Sequence, residues 1–134
     1  MSPICLDTSA YSHFKRGDQE VARIIGSARE VLVPSVVLGE LHVGFRLGTK
    51  RERNVEELDE FLGHELVDVI SVDAAVAQHY ADIVVELRKA GTPIPTNDIW
   101  IAASAASRGA TVVTYDDHFA RIARVASRVL GSDL

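Results

Sequence analysis

Four carboxylates occupy places where an acid needs a reason. Asp7 closes a short apolar run, Pro3–Leu6. Asp116 follows a β-branched run, Ala110–Thr114. Glu40 shares a helix face with Val37, Leu41 and Gly44, and an acid inside such a stripe is costly unless paired or coordinated. Asp98 is the single charge in the first turn of an apolar helix that stays nearly uncharged to Arg108. Each has a plainer reading. Asp7 and Asp116 suit helix caps, Asp98 suits the positive end of a helix dipole, and Glu40 could be a buried acid paired with an arginine. Together they point elsewhere. Two like charges about 5 Å apart repel by roughly 3 kcal/mol at an effective dielectric near 20. A pocket of four must hold some of its protons or recruit a divalent cation. All-oxygen ligation suits Mg²⁺ or Mn²⁺ rather than zinc, and such a site typically serves phosphodiester hydrolysis.

For these acids to meet, the chain must bring strand ends and helix starts to one edge. Pro3–Leu6, Glu30–Val33, Leu66–Val72 and Ala110–Thr114 read as strands, with a further edge strand within Val125–Leu130. Helices are predicted from Ala10, around Val21–Ala28, over Val36–Leu47 with Ser35 as cap, over Lys50–Leu62, and from Asp73 to Ala90. A further helix starts at Thr96 or Asn97, after the break Gly91–Pro95, and buries Ile99, Ala102, Ala103 and Ala106 before Gly109 ends it. A short helix over His118–Val125 and frayed last residues complete the chain. Strands alternating with helices predict an α/β fold, a parallel central sheet with helices on both faces, in one domain over residues 1–134. In such sheets ligands collect beyond the carboxyl ends of the strands, where Asp7 and Asp116 fall.

Composition narrows the function. With 134 residues and 47% hydrophobic content the chain can bury one core. A formal charge of −5 argues against broad binding to nucleic-acid backbone, though not against a site where a metal offsets the acids. Cys5 is the only cysteine, so neither a disulfide nor a thiolate cage is expected. No apolar run reaches membrane length and no leader pattern precedes the first strand, which makes the cytoplasm the expected location. The histidines His13, His42, His64, His79 and His118 show no ligand spacing and read as surface or structural, with His13 or His118 the two placed to approach the cleft. Trp100 reads as packing. Lys15, Arg16, Arg46, Lys50 and Arg51 lie near segment ends and could meet phosphates. The charged helix Lys50–Leu62 has so thin an apolar edge that it could grip a partner.

The sequence resembles the PIN-domain family, and most of all the VapC-type toxins of bacterial toxin–antitoxin pairs. The residues that carry the likeness are Leu6-Asp7-Thr8-Ser9, Pro34–Leu41 with Gly44, Ile94–Asp98 running into Ile101-Ala102-Ala103, and Val113–Asp116 with Phe119. The resemblance implies a Mg²⁺- or Mn²⁺-dependent endoribonuclease acting on RNA, neutralised by a cognate antitoxin and usually a homodimer. It implies that Asp7, Glu40, Asp98 and Asp116 form the catalytic, metal-binding site, with Thr8, Ser9, Thr114 and Asn97 orienting them. Asp117, beside the matched position, has no assigned role. The alternative is a catalytically inactive PIN-fold binding module whose acids serve only as caps or ion pairs. A haloacid-dehalogenase-type phosphatase also carries an Asp after its first strand, but Ser9 stands where its second Asp would be.

Overall fold

Short β-branched and apolar runs become the strands of one sheet. They are β1 (Ile4–Leu6), β2 (Val31–Pro34), β3 (Val67–Ile70), β4 (Thr111–Thr114) and β5 (Ser127–Val129). The computed structural model describes residues Ser2–Gly131, and the expectation of frayed last residues falls largely outside that range. The strand order is β3-β2-β1-β4-β5, and every neighbouring pair is parallel. Leu6 lies opposite Val113, so the chain leaves β1 and β4 side by side at the same edge. From β1 the order runs to β2 and β3 on one side and to β4 and β5 on the other. The β1–β4 junction is therefore the switch point where such sheets open a crevice.

The helices are α1 (Thr8–Lys15), α2 (Gln19–Ser27), α3 (Ser35–Leu47), α4 (Arg51–Leu62), α5 (Ala74–Ala90) and α6 (Thr96–Ser107). All four residues of β2 are buried, as expected where helices cover both faces of a parallel sheet. The core runs through Leu6, Leu32, Val33, Val112 and Phe119, with Leu58 from α4 and Ile83 from α5. Buried Ala102, Ala103 and Ala105 carry no bulk to hold α6 off its neighbours. The chain leaves α6 through Gly109, whose left-handed φ of 61° lets the Ala110 N–H return to the Ala105 carbonyl. Trp100 packs as expected, its ring stacked on Tyr80 of α5 at 3.7 Å. Among the described residues no helix is long and apolar enough to cross a membrane.

Several expectations are corrected. Ser35 and Thr96 do not cap their helices, and Asn97 does not cap α6. Pro34 (φ −62°, ψ 144°) and Pro95 (φ −55°, ψ 140°) take the cap positions, and each serine or threonine becomes the first helical residue. The buried side of α6 is wider than the predicted stripe: Ile101, Ser104 and Ala105 are buried, while Ala106 is only partly so. On α3 Gly44 is exposed, so the buried face consists of Val37 and Leu41, with Glu40 half-buried at its margin. The predicted helix over His118–Val125 is a single 3₁₀ turn, Asp117–Arg121.

Candidate active site

Asp7 is the first residue after β1, in extended conformation, and it caps α1. Its Oδ1 accepts from the Ala10 N–H at 2.9 Å and from the Ser9 hydroxyl at 2.7 Å. Its Oδ2 accepts from the fully buried Thr114 hydroxyl at 2.5 Å. The side chain is nearly sealed from solvent. Burial pushes its pKa above 3.8 and the charge of Asp98 pushes the same way, while the three hydrogen bonds pull it down. The plainer reading holds, since the carboxylate caps α1, and it does so at the sheet edge where the crevice opens.

Glu40 reaches the same edge from α3. Its Oε1 accepts from the Thr8 hydroxyl and its Oε2 from the Asn97 amide at 3.1 Å. Its partners are a hydroxyl and an amide, not the arginine that the plainer reading required. These two bonds tie α1, α3 and α6 together at the mouth of the crevice.

Asp98 sits in the first turn of α6, where the helix dipole favours negative charge. Burial raises its pKa, the charges of Asp116 and Glu40 raise it further, and His118 opposes them. Asp98 therefore feels the charges of Asp116 and Glu40, and Asp7 feels that of Asp98, at one sheet edge; of the four expected acids only Asp98 and Asp116 offer oxygens close enough to share one ion, and Asp7 and Glu40 stand outside that group. Asp116 caps the 3₁₀ turn by accepting the His118 N–H at 2.9 Å, and its own N–H donates to Thr114 Oγ1 at 2.9 Å. Thr114 thus links Asp7 to the Asp116 backbone. Ser9 braces the same loop, since its Oγ accepts the Tyr115 N–H at 3.0 Å.

His118, one of the two histidines expected to approach the cleft though without ligand spacing in the sequence, puts its Nδ1 3.1 Å from Asp98 Oδ2 and 3.1 Å from Asp116 Oδ1. The signal was its position two residues after the strand-end acid, which keeps it at the same edge. Asp98, Asp116 and His118 each offer a donor atom within 4.8 Å of the others'. Two carboxylates and an imidazole suit a divalent cation, and burial, with a smaller push from neighbouring acids, disfavours the charged forms of Asp7 and Asp98, a cost that a cation would offset. Asp117 is exposed and outside this group. His13 borders the crevice, stacked on Tyr115 at 3.7 Å.

The family model for the PIN domain matches residues 4–125. Ribonuclease VapC5 of Mycobacterium tuberculosis is 32% identical over 122 residues, which cover 91% of this chain and 89% of that protein. Among solved structures, VapBC2 from Rickettsia felis bound to a promoter DNA fragment aligns with a TM-score of 0.83 at 27% identity, over 96% of this chain and 99% of that one. VapBC-5 of Mycobacterium tuberculosis, a member of the VapBC family of toxin–antitoxin systems, aligns with a TM-score of 0.75 at 29% identity, over 97% and 100%.

Proposed function

The chain belongs to the PIN-domain family, and from that premise we propose that it is a Mg²⁺- or Mn²⁺-dependent endoribonuclease, the toxin of a toxin–antitoxin pair. The observation that carries the reading is the convergence of Asp7, Glu40, Asp98 and Asp116 at the β1–β4 switch point, in surroundings that raise two of their pKa values. The ribonuclease name of the VapC5 relative and the toxin–antitoxin description of a structural neighbour support the same assignment.

Asp7, Asp98 and Asp116 would hold the cation, and Glu40 would join them as ligand or as acceptor of a proton from the attacking water. A divalent cation held there would supply a more acidic water and charge neutralisation at the leaving oxygen of the phosphodiester. The remaining work is positional. Ser9 and Thr114 fix both oxygens of Asp7, so its free lone pairs keep one direction. Thr8 and Asn97 do the same for Glu40, each using one carboxylate oxygen. Arg16, 3.2 Å from His13 beside the crevice, contacts RNA phosphates.

The protein acts in the cytoplasm on RNA, pairs as a homodimer, and is silenced by an antitoxin that places an arginine among the acids, a strong way to offset clustered carboxylates. RNA cleavage assayed with Mg²⁺, with Mn²⁺ and with EDTA tests the reading. Cleavage is expected with either metal and not with EDTA, and Asp98→Asn is expected to fold and be inactive. Cleavage that persists in EDTA overturns the metal role, and an active Asp98→Asn protein overturns the site.

A further inference from the structure

We propose that His118 is a ligand of the metal through Nδ1, and that it gives this site a preference for Mn²⁺ over Mg²⁺. The inference rests on the metal-dependent reading above and adds a nitrogen donor to a site otherwise made of oxygens. The imidazole does not merely border the acids. Its Nδ1 stands 3.1 Å from Asp98 Oδ2 and 3.1 Å from Asp116 Oδ1, on two different elements. Two ligands at right angles, each about 2.1 Å from a six-coordinate ion, stand about 3.0 Å apart. The imidazole nitrogen therefore already stands at the spacing of a neighbouring ligand from each carboxylate, and all three donor atoms lie within 4.8 Å of one another.

The backbone holds the ring there. The His118 N–H donates to Asp116 Oδ1 at 2.9 Å, which closes the turn and keeps Cβ of His118 over the crevice. Phe119, the next residue, is fully buried and anchors the turn in the core. The ring is 32% exposed, so it can adjust without unpacking anything. A nitrogen ligand discriminates among hard cations. Mg²⁺ takes oxygen and keeps its waters, whereas imidazole suits metals further along the divalent series, beginning with Mn²⁺. The alternative is that His118 only bridges the two carboxylates by hydrogen bonds and yields its place when a cation binds.

Pulsed electron paramagnetic resonance on the full chain loaded with Mn²⁺ separates the two. Nitrogen modulation from a directly bound imidazole is expected in the wild type, and its loss is expected in His118→Ala with Mn²⁺ still bound. By calorimetry, His118→Ala is expected to weaken Mn²⁺ binding about tenfold or more. Mg²⁺ affinity should stay within about threefold, since a water takes the vacated position. The wild-type spectrum is informative whether or not the variant folds. Mn²⁺ bound with no nitrogen modulation, or equal losses for both metals, overturns the ligand role and leaves the nuclease reading intact. A wild-type protein that binds no Mn²⁺ overturns both.

Discussion

Replacing Asp98 by Asn should reverse sign with metal. Asp98 lies in the first turn of α6, its charge disfavoured by burial and by Asp116 and Glu40. A bare pair of carboxylates 4.8 Å apart, the outer separation of the donor atoms here, repels by roughly 3 kcal/mol at an effective dielectric of about 20. The full figure does not apply. The Asp116 side chain is 38% exposed and screened, and the Asn variant also loses the attraction between Asp98 and His118. The expected gain for metal-free Asp98→Asn is about 1 kcal/mol, a rise in melting temperature of about 3–5 °C for a chain of this size. With Mn²⁺ at about a hundred times its dissociation constant, the wild type gains about 2.7 kcal/mol, and the variant gains less than half as much. The two proteins should therefore exchange order between EDTA and Mn²⁺ in scanning calorimetry. An Asn variant that melts below the wild type in EDTA, yet gains as much from Mn²⁺, would refute the idea that these acids repel one another around a cation site.

Two other expectations follow from the same geometry. The pKa of Asp7 is raised above 3.8, so the fold favours its protonated form. That contribution is fully present below the unfolded value and is lost as pH rises through the folded one, so in EDTA the Asp7→Asn protein should gain on the wild type as the pH is raised from below 3.8, with the window lying above that value. Urea titrations at both ends of that window measure the difference, and a constant difference contradicts the shift. Thr114→Val keeps the shape of the side chain but strands Asp7 Oδ2 and the Asp116 N–H, at a cost of about 2–3 kcal/mol. Thr114→Ser retains the hydroxyl and should recover most of that stability; a Val variant as stable as Ser shows that the hydroxyl carries little.

Much of this was legible because the strongest signals were local. Asp7 and Asp116 follow runs too apolar to be anything but buried strands, and parallel strands release their last residues at one edge. Glu40 and Asp98 stood out as isolated acids on apolar helices. The caps were misread because serine, threonine and asparagine were weighed without the proline before them. Pro34 and Pro95 hold backbone angles that already suit a cap, which frees Asn97 to reach Glu40 across 57 positions of sequence. Gly44 was misplaced because the buried arc of α3 is narrower than spacing alone implies. His118 could be placed near the cleft but not among its ligands, because its partners come from two elements: Asp116 is near in sequence, but Asp98 is 20 residues away. No periodicity records such a meeting, since it depends on how β4 and α6 are set against each other.

The division of labour among the acids constrains how this chain could lose its activity over generations. Asp7 and Asp116 each begin a turn of helix as well as facing the crevice. Glu40 and Asp98 cap nothing; the bonds of Glu40 to Thr8 and Asn97 and that of Asp98 to His118 all lie at the crevice. A lineage released from selection for cleavage should therefore discard Glu40 and Asp98 early and for almost any residue. Its positions 7 and 116 should drift only among asparagine, serine and threonine, which still cap. A silenced descendant would carry that asymmetry as a scar.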